Sequence, residues 1–200
     1  MTDHSPSDTR ADPHAAADRT ESPTDGSEIA DREPTTVLHV EPNVRSAELL
    51  EAFARRHTGR IRVRSVDCAA DALDAVDAGV EVDGERVAVD CVVTEQRLPD
   101  GTGVELAERL RETDPRLPVV FYTTCPSEEG EAAAFGAGAD AYFEKGSDRG
   151  RYDAILDRIR ALVDERRNRE KGAHEGGAEA EVASTTRASG SSEDAVRSEE

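Results

Sequence analysis

Short apolar runs alternate with helix-period stretches five times between residues 36 and 163, and no other feature of the chain restricts its fold as tightly. "TVLHV" (36–40) is strand-like, and "IRVRSV" (61–66) alternates as a half-buried strand should. "VDCVVT" (89–94) and "PVVFYT" (118–123) are almost continuously apolar, as central strands covered on both faces are. "DAYFE" (140–144) completes the set. Between them, Val44, Ala47, Leu50 and Ala54, with Leu49 and Phe53 beside them, mark one helix face. Ala69, Ala72, Leu73 and Val76 fall at i, i+3, i+4 and i+7 for a second, and Val104, Ala107 and Leu110 mark a third. An alanine-rich segment (127–135) is a weaker helix. Tyr152, Ile155, Leu156, Ile159, Leu162 and Val163 form the clearest amphipathic one. "EVDGER" (81–86) carries an Asp83-Gly84 turn and reads as a longer loop or a small hairpin. Five β-α units predict an α/β fold, a doubly wound, mostly parallel sheet with flanking helices.

Only 36% of the 200 residues are hydrophobic and 4% aromatic, so apolar material has to be concentrated to build a core. Residues 1–34 and 168–200 lack it, and both read as disordered acidic extensions around a folded unit at 35–167. The net charge of −19 comes from 44 acids against 25 bases, and the lysines are Lys145 and Lys171. An acidic tail or an acidic partner surface would explain part of this. Acids spread through the folded segment and scarce lysine favour adaptation to a high-salt cytoplasm, where charge repulsion is screened. Such a charge argues against direct nucleic-acid binding. No apolar run reaches membrane-spanning length and no signal-peptide core is visible, so a cytoplasmic protein without membrane contact is expected. Cys68, Cys91 and Cys125 show no CxxC spacing and read as small buried residues in a reducing compartment.

In a sheet of this kind, function collects at the carboxyl ends of the strands. Those ends carry Glu41-Pro42-Asn43, Glu95, Thr123-Thr124 and Lys145. Two acids, a hydroxyl and an ammonium in one pocket suit phosphoryl transfer to a carboxylate. "VLHVEPN", "CVVTEQRLPDGTG", "PVVFYTT" and "GADAYFEKG", in that order with the intervening helices, resemble the landmarks of response-regulator receiver (CheY-like) domains from Thr36 to about Val163. The resemblance implies a flavodoxin-like, five-stranded parallel sheet in the order 2-1-3-4-5. It also implies two-component signal transduction rather than an enzyme. "YFEKGS" and the arginine-rich acidity resemble receivers of halophilic archaea.

Carried over by position, Glu95 stands at the phospho-acceptor, Glu41 at the first acid of the metal pocket, and Arg97 where a backbone carbonyl helps hold the metal. Thr123 and Tyr142 are the switch residues and Lys145 the phosphate and charge partner. The acceptor of the family is aspartate, and Pro42 falls where its second metal-binding acid belongs. Proline offers no side-chain oxygen, and the extra methylene of glutamate moves the carboxylate by about 1 Å, which can cost on the order of 100-fold in rate. Glu41, Glu95 and the Arg97 carbonyl would then hold Mg²⁺ only weakly, and no cofactor is firmly implied. These departures favour an atypical, phosphorylation-independent receiver in which Lys145 pairs with Glu95. A site kept only as scaffold and regulation by another ligand stay open.

The expected function is a stand-alone response regulator acting by protein–protein contact, through the face formed by the fourth helix, fifth strand and fifth helix, roughly Ser127 to Val163. Its partner would be a histidine kinase or a downstream effector. The alternative is a phosphoryl-accepting response regulator in a phosphorelay, with an atypical Mg²⁺-dependent site. A small flavodoxin-like enzyme fits less well, because "EPNVRS" after the first strand has no phosphate-cradling glycine. "FGAGAD" (135–140) is a helix stop rather than a dinucleotide fingerprint, and His39 reads as a packed or edge histidine. No packed helices after Arg167 are expected to read DNA.

Overall fold

The computed structural model describes residues 33–57, 60–146 and 149–185, with side chains as far as residue 173. Its first half runs β1 (Thr35–Val40), α1 (Val44–Arg56), β2 (Ile61–Val66), α2 (Ala69–Ala78), β3 (Val80–Val82), β4 (Glu85–Val87) and β5 (Cys91–Thr94). Next come β6 (Arg97–Leu98), β7 (Gly101–Thr102), α3 (Gly103–Thr113), β8 (Val119–Thr123), α4 (Glu128–Gly136), β9 (Ala141–Glu144) and α5 (Arg149–Thr185). The main sheet has the order β2-β1-β5-β8-β9 with every pairing parallel, which is the expected 2-1-3-4-5 counted over its own strands. The strand order reverses between β1 and β5, so the residues after these two strands line the crevice where such sheets bind ligands.

The period-2 alternation of each strand sorts its side chains between two layers. Leu38, Val40, Val92, Val119 and Phe121 pack with Ala72, Leu106, Leu110 and Ala134 of α2, α3 and α4. Val37, Val63, Val93, Val120 and Tyr122 pack on the other face with Leu50, Ala54, Ile155, Leu156 and Ile159 of α1 and α5. In that second layer Phe53 stacks on Tyr152 with centroids 4.1 Å apart, and Tyr122 meets the Tyr152 ring edge-on at 6.1 Å. Among the described residues, no helix is long and apolar enough to cross a membrane.

Helix starts are fixed by side-chain acceptors. Asn43 accepts from Ser46 N, Ser127 accepts from Gly130 N, and Thr102 and Glu105 form a reciprocal capping box. The N-cap of α2, Cys68, makes no such bond. Asp100 in the β6–β7 turn takes over, with one carboxylate oxygen on Ala69 N and the other on Ala70 N, both at 2.9 Å. This ties the loop after β5 to the neighbouring helix, and the two backbone donors, Ala69 N and Ala70 N, hold the exposed Asp100 carboxyl below the ordinary range.

The segment at 81–86 is a hairpin, β3–β4, whose Asp83 and Gly84 both have positive φ, as a type I′ turn demands. Val80 and Val82 turn into the core while Glu81 stays exposed. The proline-glycine loop after β5 adds a minimal hairpin, β6–β7, below the reach of periodicity arguments. At the opposite edge of the sheet, Arg167 donates to Asp90 Oδ1 at 3.0 Å and to the carbonyls of Glu33 and Pro34, while Asp90 Oδ2 receives Thr36 N. Arg111 likewise joins the carbonyls of Gly138 and Leu117 to the Asp140 carboxylate.

α5 does not end at Arg167, where the apolar period stops, but continues to Thr185. The pairs Glu165–Arg169 and Arg166–Glu170 support the continuation at helical i,i+4 spacing, although residues 168–173 are all exposed. Helix without a buried face is what sequence periodicity does not detect. Residues 1–32 and 186–200 of the expected extensions lie outside the described residues. Of the cysteines, Cys91 is buried as expected, Cys68 is half-buried, and Cys125 is exposed in the turn after β8.

Gly79 ends α2 with φ +78 and ψ 166, a region essentially restricted to glycine, and a Cβ there would stand 2.8 Å from the Val87 carbonyl oxygen. Gly79→Ala is expected to lower unfolding stability by about 1–3 kcal/mol, read from urea denaturation, with the sheet retained.

Candidate functional site

Backbone bonds carry the sheet one residue past its strands and thereby aim the polar side chains. Glu41 N donates to Val66 O at 2.8 Å, Glu95 N to Val40 O at 3.0 Å, and Lys145 N to Thr123 O at 2.7 Å. Glu41, Glu95 and Lys145 are thus held at the carboxyl ends of β1, β5 and β9, around the end of β8. Gly103 allows the close approach of α3, since a Cβ there would lie 2.5 Å from Glu95 O and 2.9 Å from the Phe121 ring.

The four polar side chains expected at the strand ends converge. Lys145 Nζ donates to Glu41 Oε2 and, at 2.8 Å, to Glu95 Oε2. Glu95 Oε1 accepts from the Thr123 hydroxyl and from Gln96 N at 2.7 Å. Its Oε2 also receives Thr124 N at 3.1 Å and the Thr124 hydroxyl at 3.3 Å. Glu41 Oε1 accepts from Asn43 N at 2.8 Å. Each of the four carboxylate oxygens therefore has a protein donor. Glu41 and Glu95 are 4% and 7% exposed, so the pairing is shielded from solvent. The Tyr122 ring lies below the ammonium, 5.4 Å from Nζ.

Burial alone would raise the Glu95 carboxyl, but the hydrogen bonds from Lys145, Thr123 and Gln96 N outweigh it and hold the group below its ordinary 4.5. His39 lies one turn of the pleat below Glu41, fully buried, with Nε2 3.9 Å from Glu41 Oε2. Burial, together with the charge on Lys145, lowers its pKa to about 3, so the imidazole is neutral at physiological pH.

Chemically, this is an ammonium shared by two carboxylates. A small hard cation asks for near-octahedral oxygens and would have to take the place that Nζ fills. Pro42 supplies no side-chain oxygen. Arg97 is exposed, and its backbone pairs with Thr102 in the β6–β7 hairpin. Among the described residues, the one group of three metal-type ligands lies elsewhere, at Asp67, Cys68 and Asp71 on the surface. Tyr142 is joined to the site through an intermediary: its hydroxyl donates to Gln96 Oε1 at 3.0 Å, and its ring stacks on Phe121. Strand-end reading missed Gln96, because a contact 46 residues away in sequence leaves no periodic signal.

The response regulator receiver domain family matches residues 37–157 of this chain. A probable transcriptional regulatory protein, TcrX of Mycobacterium tuberculosis, is 31% identical over 134 residues, which are 67% of this chain and 52% of that protein. The chain thus spans about half the length of this curated relative. Among solved structures, a CheY-like response regulator receiver domain protein of Methanospirillum hungatei JF-1 superposes with a TM-score of 0.57 at 20% identity, covering 68% of this chain and 99% of that one. The signal receiver domain of an HD domain-containing protein of Pseudomonas fluorescens Pf-5 gives 0.58 at 18% identity, covering 68% and 99%. At these identities the two structures speak for the fold.

Two outcomes follow from the buried pairing. Lys145→Met leaves two carboxylates facing each other and is expected to cost about 3–5 kcal/mol in urea unfolding, with part regained on adding Glu95→Gln. Because the folded-state pKa of Glu95 is depressed, its contribution is complete above the unfolded value and fades as pH falls through the folded one. Stability measured from about pH 6 down to pH 2 should therefore fall less steeply in Glu95→Gln than in the wild type.

Proposed function

The chain belongs to the response regulator receiver domain family of two-component signalling, and from that premise we propose that it is an atypical receiver whose conformation is set without phosphorylation and read by protein–protein contact. The observation that carries this reading is the position of Lys145 Nζ between Glu41 and Glu95, with every carboxylate oxygen already holding a donor. Attack on a phosphoryl donor needs a free oxygen lone pair in line with the leaving group. Glu95 spends both oxygens on Thr123, Thr124, Gln96 and Lys145. The same contacts draw the end of β8 and the end of β9 toward the acid, so Glu95 acts as a built-in anion for the switch hydroxyl.

The donor set does not fit Mg²⁺, and no step is routed through a metal. A metal-dependent acceptor would need Lys145 to withdraw from Glu41 and Glu95 together. The module is read as a binding partner rather than an enzyme, cytoplasmic, and contacted by a kinase or effector on the α4–β9–α5 face. Phe135 on α4, 47% exposed, offers that face an apolar anchor. The surface acidity, −19 over the chain, suits a halophilic archaeal cytoplasm. The name of the mycobacterial relative points to transcription, and an effect of this kind would here pass through a partner.

The reading is tested by intact mass after incubation with acetyl phosphate and Mg²⁺ in high salt. The wild type is expected to remain unmodified, while Glu95→Asp, with its shorter side chain, is expected to gain one phosphoryl group. A phosphoryl group on the wild-type protein that disappears in Glu95→Gln would overturn the proposal in favour of a phosphoryl-accepting regulator.

A further inference from the structure

Gln96 follows Glu95 directly, and its two ends engage different parts of the fold. Its backbone N–H donates to Glu95 Oε1 at 2.7 Å, and its carbonyl accepts from Gly103 N at 2.9 Å. The main chain is thus pinned between the end of β5 and the start of α3. The side chain points the other way. Its Oε1 accepts the Tyr142 hydroxyl at 3.0 Å. Its amide lies against the first turn of α4, where a Cβ built on Gly130 would come within 2.4 Å of Nε2 and 2.8 Å of Oε1.

Tyr142 is thereby held at both of its functional ends. The ring lies on Phe121 with centroids 6.0 Å apart and planes 18° from parallel, and the hydroxyl is anchored on the Gln96 amide. Gly130 is buried and sits in the turn that Ser127 caps. Absence of a side chain at this position lets α4 close onto Gln96. One residue therefore touches the acid of the site, the aromatic of β9 and the start of α4.

We infer that Gln96 is the positioning residue that holds Tyr142 against Phe121 and ties α4 to Glu95, so that the set of the α4–β9 surface follows the Gln96 side chain. This goes beyond the reading given above and holds whether or not Glu95 accepts phosphate. A hydrogen bond between neutral partners shifts a two-state balance by about 2- to 12-fold. That is enough to change how often the Tyr142 ring leaves its seat.

The test uses the full chain and four variants: Gln96→Met, nearly isosteric without an acceptor; Gln96→Glu, which keeps the acceptor; Gly130→Ala; and Tyr142→Phe. The readouts are ring signals of ¹³C-labelled tyrosine, assigned through Tyr142→Phe, and the rate of Tyr142 nitration by tetranitromethane, read by peptide mass. Gln96→Met is expected to shift the Tyr142 signals toward solvent-exposed positions and to raise its nitration about 2- to 12-fold. Gln96→Glu should restore both. Gly130→Ala, which displaces the amide from the α4 side, should repeat the effect of Gln96→Met and serves if that variant is poorly folded. Tyr142 signals and nitration unchanged in both Gln96→Met and Gly130→Ala would overturn the inference, and so would an equal effect of Gln96→Met and Gln96→Glu. The phosphoryl-transfer result is independent of these readouts, so failure of either proposal is recognised on its own.

Discussion

One ammonium between two buried carboxylates organises the functional edge of this protein. Taking each carboxylate out of water costs several kcal/mol, and only close pairing with further hydrogen bonds offsets it. Lys145 supplies the pairing, and the donors of Thr123, Thr124, Gln96 and Asn43 supply the rest. Two acids against one base leave a single formal negative charge in the cluster, with the neutral His39 imidazole beneath it. The ends of β1, β5 and β9 are consequently joined by charge, whereas the bodies of the strands are held by the two apolar layers on either side of the sheet.

The other edge of the sheet uses a different chemistry for the same purpose. Arg111, Arg166 and Arg167 reach Asp140, Asp114 and Asp90 and several main-chain carbonyls, closing the starts of the strands onto α3 and α5. A planar guanidinium with several donors suits acceptors spread over a surface, and a compact ammonium suits two oxygens that converge on a point. The division explains why a chain so biased toward arginine keeps a lysine at residue 145.

The layered α/β fold was legible because each strand and helix repeats its own period over several residues. Glu41, Glu95, Thr123 and Lys145 were legible for a simpler reason: a parallel sheet delivers the residue after each strand to a common edge. Arg97 was placed by the family resemblance alone, and the β6–β7 hairpin that holds its backbone is too short to leave a pattern in the sequence. Gln96 and Asp100 were hidden because their roles depend on where a side chain reaches, toward Tyr142 in one case and the start of α2 in the other. The continuation of α5 beyond Arg167 was hidden because exposed helix carries no apolar stripe.

The chain has no tryptophan and three tyrosines, and the aromatic contacts give those tyrosines distinct surroundings. Tyr122 lies under the Lys145 ammonium and meets Tyr152 edge-on, Tyr152 is stacked face to face on Phe53, and Tyr142 is hydrogen-bonded to an amide. Ultraviolet emission from this protein therefore comes from three fluorophores, two in ring contact near the acid cluster and one on β9 beside Gln96. The molecule carries its own optical reporters, and neither the acid cluster nor the β9 strand needs a dye to be watched.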